Sequence, residues 1–416
     1  MKNIELMSPV GSYETLMAAI QGGANSIYFG VEQLNMRSKS THNFTTEDIG
    51  KIVEICKNHN VKAYIALNTI IYDKDIELMK QLVDTAKAQN ITAIIASDIA
   101  VMSYARKQGV EVHASTQLNI CNIESVKFFA QFTDVMVLAR ELNLTQVKYI
   151  TDTIKKENIT GPSGNLIEIE IFIHGALCMA VSGKCYLSLH EQNSSANRGA
   201  CLQTCRKAYT VTEKESGYQL EVDNEYIMSP KDLCTIGFID EILDAGVSVL
   251  KIEGRARPAE YVKTVTSAYR KAIDAYNNKT LTKELANNWR LDLNTVFNRG
   301  YWDGYFLGQK FGEWNDSYGS KAEKKKFYIA KCTNYFSKIG IGEFLLQAGS
   351  LKVGDEILVI GPTTGVVETT ITEIRRDLGK VEQAEKGDIV SIAMPEKVRR
   401  ADKLYKLLSK KIKSIS

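Results

Sequence analysis

Four cysteines that lie close together in the chain are the strongest chemical signal in the sequence. They fall within 28 residues, at Cys178, Cys185, Cys201 and Cys205, with the spacing C-x6-C and then C-x3-C. Thiolates are soft anionic ligands that repel one another unless a metal neutralises them. Structural zinc usually takes two close C-x2-4-C pairs, so this spacing favours an iron–sulfur cluster, with zinc as the alternative.

The membership of this cysteine set is open in two respects. The thiols are alternatively ordinary buried cysteines, since free cysteine packs like a small apolar side chain, although the Ser, Gly, Lys and Arg residues around them make a poor core. Cys234 begins a predicted helix over residues 234–245, where the helix N-terminus favours the thiolate. Cys205 is the preferred fourth ligand and Cys234 the alternative, because C-x3-C places Cys201 and Cys205 on one face of a helical turn.

The elements that must position these cysteines alternate between short β-branched runs and amphipathic helical stretches, a pattern typical of a parallel sheet with crossover helices. Eight such units favour a TIM-like (β/α)8 barrel, and no G-x-G-x-x-G follows the first strand as an open nucleotide-binding sheet would require. The predicted strands are Ile4–Val10, Ser26–Val31, Lys62–Thr69, Ala93–Asp98, Val110–Thr116, Asp134–Ala139, Ile167–Gly175 and Val247–Gly254.

Polar residues follow the predicted strands at their carboxyl ends. In barrels of this kind the active site lies at these carboxyl ends. Substrate-binding candidates are Asn68, Ser115, Gln117 and Arg140, and catalytic candidates are His174, Lys251, Glu253 and Arg255. Alternation along a strand places Lys251, Glu253 and Arg255 on one face, pointing into the barrel mouth. Inward-facing charges must pair with each other or meet a charged ligand, so a purely structural network is the alternative.

Several stretches of the chain together resemble one known family. They are residues 170–185, Asn197 to Cys201, Met228 to Leu233, Leu250 to Arg255 and Phe297 to Tyr301. The chain resembles the collagenase-like U-type peptidase family, whose members include hydroxylases of transfer-RNA uridine, ribosomal-RNA cytidine and ubiquinone. The resemblance implies a 4Fe-4S cluster, tRNA as partner and prephenate as the hydroxyl donor. It does not identify the prephenate site, for which Arg255, a fork for carboxylate, and Lys251 are our hypothesis.

The function predicted from residues and resemblance is hydroxylation of the wobble uridine of tRNA to 5-hydroxyuridine, with His174 beside the cluster as a proton-transfer group. The alternatives are a collagenase-like metal-dependent peptidase, a ribosomal-RNA cytidine or ubiquinone hydroxylase, and a zinc protein that binds RNA without catalysis. The sequence has no H-E-x-x-H and no G-x-S-x-G, and its five histidines lack metal-ligand pairing, which argues against the peptidase.

The domain organisation follows from shifts in composition. We predict a barrel over residues 1–277 with a cysteine-rich insertion at 176–230, a connecting segment at 278–326, a small C-terminal β-barrel at 327–396 and a basic tail at 397–416. The aromatic residues between Phe297 and Gly308 either stack on bases or pack on the barrel. The tail is either a solvated helix face or a phosphate contact.

The composition limits the classes of protein to which the chain can belong. With 44% hydrophobic and 24% charged residues, the 416-residue chain is of ordinary globular type, and its net charge of +3 means that RNA binding must come from a local patch. It has neither a long apolar run nor an apolar N-terminal stretch, so we expect a cytoplasmic protein without a membrane partner. In that compartment the eight cysteines are metal ligands or free thiols rather than disulfides.

Overall fold

The computed structural model describes residues 4–32, 34–36, 38, 43–193, 195–212, 214–215, 219–220, 228–309, 312–316, 319–377 and 379–409. The chain begins with seven strands separated by helices. The strands are β1 (Glu5–Pro9), β2 (Ser26–Phe29), β3 (Lys62–Leu67), β4 (Ala93–Ala96), β5 (Glu111–Ala114), β6 (Val135–Val137) and β7 (Glu168–Ala176). The helices are α1 (Tyr13–Gln21), α2 (Asp48–Asn58), α3 (Ile76–Ala88), α4 (Ile99–Gln108), α5 (Ile123–Phe129) and α6 (Leu144–Lys156).

Local sequence explains where these helices begin. The side chains of Ser12, Asp98 and Asn143 each accept a backbone N–H of the first turn of α1, α4 and α6, which satisfies a donor that the helix leaves unpaired. Each helix then buries one apolar stripe against the strands, as Leu82, Val83 and Ala86 do in α3.

The cysteine-rich insertion follows β7 and leads back to the barrel. It contains α7 (Leu187–Gln192), the short pair β8 (Val211–Thr212) and β9 (Gln219–Leu220), and β10 (Asp232–Cys234), before α8 (Ile239–Asp244) and β11 (Val249–Ile252). Strands β8 and β9 pair antiparallel.

Strands β1 to β7 and β11 form the barrel. All neighbours pair in parallel, and β11 pairs with both β1 and β7, which closes the sheet. The TIM-like (β/α)8 prediction is therefore confirmed. The interior differs from the branched apolar layers usual in such barrels, because Glu170, His113 and Lys251 are all buried there.

Strand β10 extends the barrel sheet at its mouth. Asp232, Leu233 and Cys234 pair antiparallel with Ala176, Gly175 and His174. The prediction that Cys234 starts a helix is wrong, because this long-range strand pairing overrides the local helical pattern, and α8 begins only at Ile239.

The connecting segment packs on the barrel. It follows α9 (Ala259–Asn277), the last helix of the barrel region, and contains α10 (Lys283–Asn294) and β12 (Tyr301–Trp302). Strand β12 pairs with Asp232 and Leu233. Trp302 is buried, and its indole N–H donates to Lys231 O at 3.1 Å. The aromatic residues of β12 therefore pack against the barrel instead of standing free to stack on bases.

The C-terminal domain is an antiparallel sheet, which confirms the predicted β-domain. Its described strands are β13 (Lys324–Phe336), β14 (Ile341–Leu346), β15 (Ser350–Lys352), β16 (Glu356–Gly361), β17 (Gly365–Thr370), β18 (Ile374–Arg376), β19 (Gly379–Val381), β20 (Gln383–Glu385), β21 (Ile389–Ala393) and β22 (Lys403–Ser409). Eight of these strands form one sheet in the order β17-β16-β22-β13-β14-β21-β18-β19, and β15 pairs with β20.

The basic tail is part of this sheet. Strand β22 lies between β13 and β16, so its lysines belong to a strand and not to a solvated helix face. Lys410, Lys411 and Lys413 lie outside the described residues. The domain is fixed to the barrel through Gln21, which donates to Thr364 O at 3.0 Å and accepts from Val366 N at 2.9 Å. Among the helices described, none has the length and apolar composition needed to cross a bilayer.

Candidate active site

One cavity of about 180 Å³ gathers nearly all the side chains singled out by the sequence. It lies at the carboxyl ends of the barrel strands and is covered by the insertion. Its lining includes Asn68, Ser115, Gln117, Arg140, Lys251, Glu253, Arg255, Cys178, Cys185, Cys201 and Cys205. Of the predicted site residues, His174 alone is not in this lining.

The four cysteines line this cavity. Cys178 is exposed, and the other three are half-buried. Burial raises the pKa of Cys205, nearby Cys178, Cys201 and Cys185 raise this pKa further, and Arg206 lowers it. The thiols are thus close enough for their charges to interact, and a set of this kind suits a metal that would neutralise them. Within the described ranges, however, no three His, Cys, Asp or Glu side chains are arranged to hold a metal ion. The cluster stays a prediction.

Three polar side chains that follow β3 and β5 form a hydrogen-bonded group on the cavity wall. Asn68 Nδ2 lies 3.4 Å from Ser115 Oγ and 3.3 Å from Gln117 Oε1, and the Ser115 hydroxyl donates to Gln117 Oε1. Asn68 Oδ1 in turn accepts the backbone N–H of Met36 at 3.2 Å. These contacts fix the amide groups of Asn68 and Gln117 in place beside the cavity.

Cationic side chains outnumber acids in the cavity lining. Arg140, Arg206, Lys251 and Arg255 face a single carboxylate, that of Glu253. The Arg140 guanidinium lies over the Phe172 ring at 3.8 Å and donates to Ala176 O at 2.9 Å, while its buried Nε has no hydrogen-bond partner in the described part of the chain. Such a lining favours an anionic ligand.

Arg255 is held at the edge of the cavity by its neighbours. Its Nη1 donates to Asn35 Oδ1 at 3.1 Å. Gly30 leaves space for this guanidinium, because a Cβ added at Gly30 would lie 2.5 Å from Arg255 Nη1. The placement of Arg255 therefore depends on a residue without a side chain directly after β2.

Lys251 has a partner that the sequence analysis missed. Its Nζ lies 2.7 Å from Glu170 Oε1 and 4.6 Å from the centre of the Tyr28 ring. Burial lowers the pKa of Lys251, and Glu170 opposes this effect. His113 Nδ1 lies 3.9 Å from Glu170 Oε2. The signal was present in the sequence, since Glu170 interrupts the apolar run Ile169 to Ile173.

Glu253 is not in an ion pair with Lys251 but accepts the backbone N–H of Ala176 at 3.2 Å. Strands β7 and β11 approach closely at this point, and a Cβ on Gly175 would lie 2.6 Å from Glu253 O. Gly175 also has a φ of 103°, which favours glycine. Directly after this close contact between the two strands, the chain leaves β7 and continues to Cys178 above the barrel mouth.

His174 points away from the cavity, which corrects the proton-transfer role predicted for it. A register shift between Lys251 and Ile252 pairs Ile252 with His174, and such an irregularity turns the side chain to the other face of the sheet. There His174 packs against Tyr261, Tyr269 and Tyr301. Burial and nearby Arg257 lower the pKa of His174 to about 3.

Cys234 is also removed from the cavity. It is buried beside Tyr269, and burial raises the pKa of its thiol to about 11. A neutral buried thiol that does not line the cavity is a poor metal ligand. Cys205, which does line it, is the better placed of the two candidates for the fourth position.

Comparison with known proteins identifies the family. The family model described as "Peptidase family U32" matches residues 11–316. The chain is 58% identical to "Collagenase" of Porphyromonas gingivalis over 97% of this chain and 98% of that protein. It is 32% identical to "tRNA hydroxylation protein P1" of Bacillus subtilis, over 91% and 89% of the two chains. It is also 32% identical to a 23S ribosomal-RNA 5-hydroxycytidine synthase of Escherichia coli, over 74% of this chain and 46% of that protein. The chain belongs to peptidase family U32.

Proposed function

We propose that this protein is an RNA-modifying enzyme that hydroxylates the wobble uridine of tRNA to 5-hydroxyuridine. The observation that carries the proposal is the cavity at the barrel mouth, where four thiols, three amides and four cationic side chains meet. The hydroxylation proteins among the relatives support the reaction class. The uridine, the cluster and the hydroxyl donor belong to the proposal.

Cys178, Cys185, Cys201 and Cys205 would hold a 4Fe-4S cluster. Their fit rests on donor chemistry, since all four line one cavity and the neighbouring thiols already raise the pKa of Cys205. Such a cluster supplies one-electron transfer when it is bound. Arg206, which also lines the cavity, compensates part of the thiolate charge.

The cationic side chains would bind prephenate through its carboxylates. Arg255 and Arg140 are the better anchors, because a guanidinium matches the two oxygens of a carboxylate. Lys251 is already paired with Glu170 and adds positive charge from below. The unpartnered Arg140 Nε supports this assignment, because a buried donor without a partner is costly.

The group formed by Asn68, Ser115 and Gln117 would bind the base. Amide side chains present both donors and acceptors, which are the groups needed to recognise the edge of an unpaired pyrimidine. Their mutual hydrogen bonds hold them in place before the base arrives, which lowers the entropic cost of binding.

Two measurements test the proposal. Anaerobically purified protein should contain iron and sulfide and show the visible absorption of an iron–sulfur cluster, whereas zinc alone would contradict the cluster. Nucleoside mass spectrometry of a deletion strain should show loss of 5-hydroxyuridine derivatives from tRNA, restored by the wild-type gene. Loss of 5-hydroxycytidine from ribosomal RNA instead, or altered ubiquinone, would identify another hydroxylation substrate.

A second candidate is a metal-dependent peptidase, favoured by the 58% identity to a protein named collagenase. The cavity lining offers little for that chemistry, since its described residues include no histidine and a single carboxylate. Gelatin cleavage by purified protein that is lost in the Glu253→Gln variant would support the peptidase. Absence of cleavage by protein with its full metal content would reject it.

A further inference from the structure

We infer that the exposed apolar side chains at the entrance of the cavity form a stacking surface for unpaired bases next to the modified nucleotide. This surface, called the rim, consists of Met179, Val181, Tyr186 and Leu202. The inference rests on the proposed function, because it names how that site would take up RNA.

The rim lies directly at the entrance. Met179 and Val181 line the cavity and are each 46% exposed. Tyr186 stands between Cys185 and Leu187, which both line the cavity, yet Tyr186 itself is 74% exposed. Leu202 is also exposed and stands between Cys201 and Gln203, which both line the cavity. Large apolar side chains grouped at a cavity entrance indicate a binding surface.

The charge around the rim selects the partner. Residues 178–207 contain four cations and one acid, Glu191, whereas the whole chain has a net charge of only +3. Lys184 is exposed and has no ion pair within the described ranges, and exposed Lys207 pairs with Glu191 at 3.4 Å. Aromatic and apolar faces beside excess positive charge suit a nucleic-acid single strand, whose bases stack while its phosphates meet the cations.

The rim is tied to the barrel before any ligand binds. Arg198 pairs with Asp75 at 2.7 Å and lies over the Tyr72 ring at 4.2 Å. Ile70 N also donates to Asn197 O at 3.2 Å. These contacts link the insertion to the loop after β3, so that the rim and the cavity keep a fixed relation. An enzyme that modifies a base must take it out of its stack, and neighbouring bases then need new stacking partners.

The test measures RNA affinity separately from catalysis. Anaerobic holoenzyme is titrated with a fluorescent, unmodified tRNA anticodon stem-loop, and the dissociation constant is read from anisotropy. We expect Tyr186→Ala to weaken binding about tenfold and Tyr186→Phe to retain it, because phenylalanine keeps the stacking face. Tyr149→Ala is the matched control, since Tyr149 is 64% exposed on α6 and does not line the cavity. Lys184→Gln should reduce the dependence of RNA affinity on salt concentration by the amount expected for the loss of about one phosphate contact.

The outcomes separate the rim from the proposed function. Wild-type protein that binds no RNA would contradict the proposed function. RNA binding that Tyr186→Ala leaves unchanged, or that Tyr149→Ala weakens equally, would overturn the rim inference while the function stands. A variant with unchanged RNA affinity that loses self-association in sedimentation would make the rim a protein contact, and this too would overturn the inference.

Discussion

Lys251 Nζ lies 2.7 Å from Glu170 Oε1 inside the barrel, where neither side chain is more than 4% exposed. An ion pair so deeply buried costs desolvation on both sides, and replacing it with apolar residues is often neutral. Its presence at the base of the candidate active site therefore indicates a role beyond stability. Glu170 holds the Lys251 side chain beneath the cavity, and its charge opposes the lowering of the Lys251 pKa by burial.

The first prediction concerns Glu170→Gln. The substitution leaves the Lys251 ammonium buried without a counter-charge, and we expect it to lower the free energy of unfolding by about 3 kcal/mol. Urea denaturation measures the change. The double variant Glu170→Gln, Lys251→Met should recover most of the loss, because it removes the uncompensated charge as well.

A surface pair serves as the control. Lys148 Nζ and Asp152 Oδ2 are 3.1 Å apart, and both side chains are more than half exposed. Lys148→Met should cost no more than about 1 kcal/mol. Equal losses for Glu170→Gln and Lys148→Met would show that burial does not determine the cost of removing one partner of an ion pair in this protein.

The second prediction is a pH dependence of stability caused by His174. Its pKa is about 3 in the folded protein, below the ordinary value of 6.5, because of burial and Arg257. As pH falls below 6.5, the unfolded chain binds a proton that the folded chain does not. The free energy of unfolding should therefore fall by about 1.4 kcal/mol per pH unit from this residue alone.

Urea denaturation between pH 7 and pH 4 would measure this slope. His174→Phe should reduce it, because phenylalanine does not titrate and its ring suits the surrounding tyrosines. His190→Gln removes an exposed imidazole and should leave the slope unchanged. A wild-type slope retained by His174→Phe would reject the assignment.

The sequence predicted the barrel and most of the cavity because both depend on local patterns. Alternating strands and helices define the barrel, and carboxyl strand ends meet at one mouth whatever the details. The predictions from sequence were wrong where pairing between strands that are distant in the chain determines the local structure. A register shift beside Ile252 turns His174 outward, and β10 adds Cys234 to the sheet rather than to a helix. Glu170 was missed because its partner Lys251 is 81 residues away in the chain.

The third prediction identifies the cluster ligands. Cys178→Ser, Cys185→Ser, Cys201→Ser and Cys205→Ser should each lower the iron and sulfide bound after anaerobic reconstitution by at least about half, since serine is a poor ligand for iron–sulfur clusters. Cys234→Ser and Cys332→Ser change buried thiols away from the cavity and should retain the metal content. Iron retained in Cys205→Ser but lost in Cys234→Ser would reverse the choice of fourth ligand.

The fourth prediction tests the carboxylate site through a residue that contacts no ligand. A Cβ at Gly30 would lie 2.5 Å from Arg255 Nη1 and 2.7 Å from Asn35 Cγ, so Gly30→Ala must displace the guanidinium. We expect prephenate to bind about tenfold more weakly by calorimetry, as for the loss of one charge-assisted hydrogen bond. Gly237→Ala is the control, because nothing lies within 4 Å of a Cβ added there. If Gly30→Ala binds prephenate as tightly as wild type does, Arg255 is not its anchor, and the assignment passes to Arg140, whose buried Nε lacks a partner among the described residues.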